Sequence, residues 1–161
     1  YSIAAQVAFP DRQSIAFVGD GGFTMLMGEF ATAVKYDLPI IVVIIKNNVL
    51  GQIKWEQIVF LGNPEYGVEL QPIDFAKYAE ACGGLGFTVR EPDDIAPTLE
   101  KAMNSGKPCV VEVYVDPNEP PMPSKVTFAQ AKGFAEALVK GQPGGIKIAT
   151  TLFRNKLNEL I

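Results

Sequence analysis

The chain has 161 residues, 48% of them hydrophobic, a net charge of -4 and no histidine. That length is one domain's worth with ample material for a core, and the acidic balance excludes nucleic acid as the main partner, since no basic excess exists to neutralise phosphates. Without histidine there is no Ser-His-Asp triad, no Cys-His pair and no His-rich zinc site, so acid–base work falls to Asp, Glu, Lys, Tyr, a cofactor or another chain.

Residues 2–9 are short and alanine-rich and read as the end of a helix. They begin without a cap, so the expectation is that the chain starts inside an element. No basic region or small-residue cleavage site marks a signal peptide. After a turn at residues 10–13, the apolar run 14–18 reads as a strand that closes at Gly19-Asp20-Gly21-Gly22. Residues 24–36 read as a helix, with Met25, Phe30, Ala33 and Val34 on one face and Glu29 and Lys35 toward solvent. Asp37-Leu38-Pro39 stops it. The run 40–45 is apolar throughout, which suits a parallel strand covered on both faces, and Asn47-Asn48 follows it.

Residues 48–70 have no sustained period. They contain Gly51, Gly62, Asn63-Pro64 and Gly67, with aromatics at Trp55, Phe60 and Tyr66, and a connection of that length is usually functional or mobile. Regularity then returns: a helix over 75–82 capped by Gly83-Gly84, a short strand at 87–89, a helix over 94–105 and an apolar strand at 109–115. Four strands alternating with helices predict an α/β fold, a three-layer sandwich with a mainly parallel sheet. Composition shifts at Asp116, which divides the chain into residues 1–116 and 117–161. Pro117, Pro120, Pro121 and Pro123 form an extended arm, 128–140 is helical, 141–145 breaks it, and 148–161 is a last helical stretch. Cys82 and Cys109 show no ligand-like spacing and read as buried reduced thiols of a cytoplasmic protein. No apolar run reaches the roughly 18 residues of a membrane span.

The chemistry sits at the two strand ends. In a parallel sheet those loops lie side by side, where such folds bind ligands. Asp20 offers a charged oxygen and Asn47 a neutral one, and a backbone carbonyl just beyond can add a third. Mg²⁺ takes six oxygens, and phosphates and water can complete the shell. Gly21 and Gly22 let backbone N–H groups approach the phosphates near the helix start at Phe23. Either motif alone is a common turn; their pairing one helix apart is the specific signal. The dinucleotide fingerprint G-x-G-x-x-G is absent, because the turn runs Gly19-Asp20-Gly21-Gly22-Phe23-Thr24.

Gly19-Asp20-Gly21, then 25 residues, then Asn47-Asn48 resembles the thiamine-diphosphate signature of the pyruvate oxidase and acetolactate synthase superfamily. The resemblance extends over essentially the whole chain, as the carboxy-terminal cofactor-binding domain. It implies that Asp20, the Asn47 side chain and the Val49 carbonyl ligate Mg²⁺. Gly19, the backbone of Gly21, Gly22 and Phe23, and Leu50 and Gly51 would line the diphosphate of thiamine diphosphate. The segment 120–141 resembles pyruvate oxidases and quinone-dependent pyruvate dehydrogenases, which decarboxylate pyruvate oxidatively and also use FAD. Glu56 matches a glutamate on the substrate side in such oxidases; a solvated loop charge is the plain alternative. Gln52 departs from the pattern, standing where oxidase members often carry an aromatic. Trp55-Glu56 is also similar to a pair in acetolactate synthases, which makes those enzymes the runner-up.

The resemblance further implies that the substrate is a 2-oxo acid and that the complete enzyme is a homo-oligomer, a dimer or tetramer. A glutamate-bearing amino-terminal domain and an FAD-type middle domain would lie outside this chain, which is then a carboxy-terminal piece, inactive by itself. A non-catalytic cofactor-binding or assembly module is the reading from a different class. In quinone-dependent relatives the carboxy-terminal peptide is an amphipathic membrane-associating element, and residues 148–161 fit that loosely. A helix packed on the domain or on a partner subunit is the other reading.

Overall fold

Four of the apolar runs form four parallel strands in the computed structural model, which describes residues 1–119 and 127–158, the last four as backbone only. They are β1 (Ile15–Gly19), β2 (Ile41–Lys46), β3 (Leu85–Val89) and β4 (Cys109–Tyr114), arranged in the order β1-β2-β4-β3. The helices are α1 (Ser2–Ala8), α2 (Asp20–Thr24), α3 (Glu29–Lys35), α4 (Gly51–Trp55), α5 (Phe75–Ala81), α6 (Ile95–Asn104), α7 (Phe128–Val139) and α8 (Gly145–Asn158).

The chain divides into two compact units that do not follow chain order. The first holds Tyr1–Asn47 and Pro72–Val115, and the second holds Asn48–Gln71 and Asp116–Ile161. In the first unit, alternation along the strands sends side chains to two buried layers. Val42, Ile44 and Val110 pack with Phe23, Phe30, Ala33, Phe75 and Ala79, from α2, α3 and α5. Ile41, Val43, Cys109 and Val111 face the other way, onto Ala102 of α6. The unit is therefore a three-layer α/β sandwich, as the alternation of strands and helices predicts. Helix α5 ends in a Schellman motif: Gly84 N–H bonds to Ala79 O and Gly83 N–H to Glu80 O, both at 2.9 Å, with Gly83 at φ +90°.

Two expectations are corrected. The single helix over 24–36 is two helices: α2 begins earlier, at Asp20, and α3 at Glu29. Thr24 Oγ1 donates to Gly21 O at 2.8 Å as α2 ends. Met25 and Leu26 are exposed, so no burial favours a helix there. Gly28 lies in the break, and i→i+3 bonds such as Glu29 N–H to Leu26 O carry the chain across. The aperiodic segment 48–70 is also not without helix, since it contains α4 and a π-turn, Glu56–Phe60. Periodicity fails there because Lys54 is on the buried face, 3% exposed and paired with Glu65 Oε2 at 2.8 Å. Around α4 and the π-turn, Trp55, Ile58 and Val59 pack with Ala137 and Ile148, giving the second unit its own core. Ile148 and Leu152 of the last stretch are spent on that core. The arm's Pro120, Pro121 and Pro123, and the side chains of Leu157, Leu160 and Ile161, lie outside the described residues. Among the described residues no helix is long and apolar enough to cross a membrane.

Candidate functional site

Asp20 closes β1 and opens α2, and it is 4% exposed. Its Oδ1 accepts the Gly21 N–H at 2.9 Å, and its Oδ2 accepts the Asn47 N–H at 3.1 Å. The second bond joins the carboxyl ends of two adjacent strands, which run in parallel register as far as Gly19 opposite Ile45. The carboxylate is thus buried with its orientation fixed by backbone amides, beside the residue that supplies the carboxamide. A Cβ built on Gly19 would meet nothing within 4 Å, so the backbone there borders open space. Phe23, in contrast, turns its ring into the core, edge-on to Phe75 at 5.4 Å and to Tyr78 at 6.2 Å. Only its backbone is available to a ligand.

The remaining predicted residues lie in the second unit. Val49 bridges antiparallel to Glu69, and its carbonyl accepts the Gly51 N–H at 2.9 Å. Leu50 N–H bonds to Val68 O at 2.8 Å, and Gly51 opens α4. Asn48 takes φ +57°, the left-handed turn by which the chain leaves β2. Glu56 is exposed at the start of the π-turn, and its Oε1 accepts from Gln52 Nε2 at 3.2 Å.

A second buried polar group lies at the same end of the sheet, and sequence reasoning misses it. Lys46 and Glu112 are 2% and 1% exposed. Lys46 Nζ donates to Glu112 Oε2 at 3.1 Å, to Tyr114 OH at 2.9 Å and to Ile73 O. Glu112 also accepts the Phe75 N–H at 3.1 Å and the Thr88 hydroxyl at 2.8 Å. Burial alone would lower the Lys46 pKa, but the Tyr114 hydroxyl and the Glu112 carboxylate outweigh it and the net direction is upward. The available signal was Glu112 itself, a carboxylate inside an otherwise apolar strand that is buried on both faces and so requires a partner.

The donors at the β1 and β2 ends are hard oxygens. Among the described residues no three His, Cys, Asp or Glu come together, so no all-side-chain metal cage exists there. A carboxylate and a carboxamide suit a cation that takes its other ligands from phosphate and water, as Mg²⁺ does. Such strand ends in a parallel sheet define an α/β domain of the phosphate-cofactor-binding class. Residues 1–113 match the C-terminal TPP binding domain of thiamine pyrophosphate enzymes, and the chain belongs to that family. It is 48% identical over 139 residues to YdaP of Bacillus subtilis, covering 86% of this chain and 24% of that protein. It is 38% identical over 115 residues to the sulfoacetaldehyde acetyltransferase of Alcaligenes xylosoxydans, covering 69% of this chain and 19% of the relative. Against the acetolactate synthase large subunit of Haemophilus influenzae it is 28% identical over 127 residues, 78% of this chain and 22% of that subunit. The chain thus spans about a quarter or less of the curated relatives it matches.

Proposed function

We propose that this chain holds the Mg²⁺-diphosphate end of thiamine diphosphate in an enzyme acting on a 2-oxo acid, and that the reaction is the oxidative decarboxylation of pyruvate. The observation that carries the proposal is the Asn47 N–H bond to the buried Asp20 carboxylate, 3.1 Å long. It joins the two halves of the motif at one end of the sheet. Asp20 and the Asn47 side chain would ligate the metal, with the Val49 carbonyl as the third protein ligand. Thiamine diphosphate, when bound, supplies the electron sink for removing CO₂ from a 2-oxo acid. The residues of this chain bind and orient it: Asp20 through its charge, and the Gly19–Gly22 turn through its bare backbone. Glu56 would stand on the substrate side. FAD, in this reading, is held by parts of the complete enzyme outside this chain. Assembly as a homo-oligomer, and peripheral membrane contact through the last helix, belong to the same proposal.

The reaction has a runner-up. The similarity to an acetolactate synthase, together with Gln52 at a position where oxidases often carry an aromatic, favours carboligation. The complete enzyme, given Mg²⁺, thiamine diphosphate and a panel of 2-oxo acids, separates the two. CO₂ release from pyruvate that requires an electron acceptor supports oxidation. Acceptor-independent formation of a carboligation product supports the synthase, and no turnover of any oxo acid overturns both. Asp20→Ala is expected to abolish Mg²⁺-dependent binding of thiamine diphosphate in calorimetry, with Asp20→Asn as the shape-preserving control. Undiminished binding in both variants removes Asp20 from the metal site.

A further inference from the structure

The chain crosses between its two units three times: after Asn47, at Pro72 and after Val115. One side chain of the first unit is tied to all three crossings. Lys46 immediately precedes Asn47. Its ammonium donates to the carbonyl of Ile73, the residue after Pro72. It also donates to the hydroxyl of Tyr114, and the Lys46 carbonyl accepts the Val115 N–H at 3.0 Å. Glu112 takes the third ammonium hydrogen and ties in Phe75 and Thr88. An ammonium has three donors, and here three acceptors receive them. That arrangement fixes the position of Lys46 far more tightly than apolar packing would.

We propose that Lys46 and Glu112 are positioning residues for the metal end of the cofactor site. They hold the end of β2 so that Asn47 is presented beside Asp20. The proposal rests on the functional reading above, in which Asn47 is a ligand.

Energetics support a positional role over a stabilising one. Removing two charges from water costs about as much as their attraction returns, and an apolar pair of the same volume is often equally or more stable. Stability alone therefore gives little reason for an ion pair here. A device that sets the position of the next residue gives one, because a metal site tolerates little displacement of its ligands.

The test uses the complete enzyme and the double variant Lys46→Met/Glu112→Gln, which removes both charges together; the glutamine oxygen can still accept the Phe75 N–H while its NH2 donates to the Thr88 hydroxyl oxygen. Calorimetry with thiamine diphosphate as the probe gives the Mg²⁺ concentration for half-maximal binding, and apo-enzyme melting is recorded in parallel. The double variant should melt near the parent yet need about 10–100-fold more Mg²⁺, the usual cost of losing an outer-shell partner. The effect should fall on the Mg²⁺ midpoint more than on turnover at saturating Mg²⁺. Tyr114→Phe, which removes one hydroxyl and no charge, should raise the midpoint by a smaller factor, and it decides the matter alone if the double variant does not fold. Parental midpoints in every folded variant, with Asp20→Ala still abolishing binding, would falsify the positioning role alone. If Asp20→Ala also leaves Mg²⁺-dependent binding intact, the functional reading fails and the positioning role fails with it.

Discussion

Both units use a glycine to bring one backbone against another, but they brace the contact differently. In the first unit Gly86 of β3 lies against α5, and a Cβ there would sit 2.1 Å from the Ala76 carbonyl oxygen. In the second, Gly133 of α7 lies against the π-turn, and a Cβ would sit 2.2 Å from the Val59 carbonyl oxygen. Around Gly86 stands a sheet with buried clusters on both faces, and β3 is hydrogen-bonded along its length to β4. Around Gly133 stands one cluster of side chains. A close approach is unforgiving where a ladder fixes one partner and a buried cluster against the sheet holds the other. It yields more readily where side-chain packing and side-chain hydrogen bonds, such as Lys140 Nζ to Gly62 O at 2.7 Å, hold the partners.

Alanine at these two positions gives the largest expected effects. Overpacking a core typically costs about 1–3 kcal/mol, and Gly86→Ala should fall at or above the upper end because neither α5 nor β3 can retreat. Gly133→Ala should cost less, because α7 can shift outward. Alanine also recovers about 0.5–1 kcal/mol relative to glycine in a helix or strand, which offsets little of the first loss and much of the second. Denaturant unfolding with residue-resolved hydrogen exchange measures both. An equal or greater loss for Gly133→Ala would show that side-chain packing holds α7 as rigidly as the ladder holds β3.

The same contrast explains what the sequence revealed. Ile41–Lys46 and Cys109–Tyr114 could be read as strands because parallel strands buried on both faces are continuous apolar runs. The Asp20 and Asn47 ends were legible because each follows an apolar run, although only β2 is covered on both faces and β1 exposes Ile15 and Phe17. Residues 51–60 were not legible. Their helix is held by a buried Lys54–Glu65 pair and by α7, which meets Val59 through Gly133, so its partners lie outside the segment itself. The Lys46 network was hidden for the same reason, since Ile73, Glu112 and Tyr114 meet it only after folding. The break between α2 and α3 left only Gly28 as a local signal. Met25 looked like part of an apolar face until folding left it exposed.

The next effect depends on pH and belongs to the first unit. Tyr78 OH donates to Met27 O at 2.6 Å, and burial, reinforced by a hydrogen bond with Cys82, raises the phenol's pKa from 10.0 to about 12. The folded chain therefore binds this proton more tightly than the unfolded chain does. The resulting stability is fully present below about pH 10 and is lost as pH rises toward 12. In Tyr78→Phe that alkaline loss should shrink. At neutral pH the variant should lose only the net worth of one hydrogen bond, about 0.5–1.5 kcal/mol. Unfolding curves of both proteins across this pH range provide the check, and parallel profiles would show that the phenol titrates as freely in the folded chain as in the unfolded one.

The smallest effect belongs to the second unit and probes its bracing from the far end of α7. Thr127 and Gln130 form a capping box: Thr127 Oγ1 accepts the Gln130 N–H at 3.3 Å, and Gln130 Oε1 accepts the Thr127 N–H at 2.8 Å. Thr127→Ala should cost about 1 kcal/mol, because two amide hydrogens at the helix start lose their reciprocal arrangement while water can still reach them. Faster hydrogen exchange should be confined to the first turn of α7, with the Mg²⁺ midpoint of the complete enzyme unchanged. The ranking against Gly133→Ala carries the information. If the cap proves more costly than the glycine, the second unit depends mainly on the start of α7, and the tight approach at Val59 follows from the helix being placed there rather than placing it.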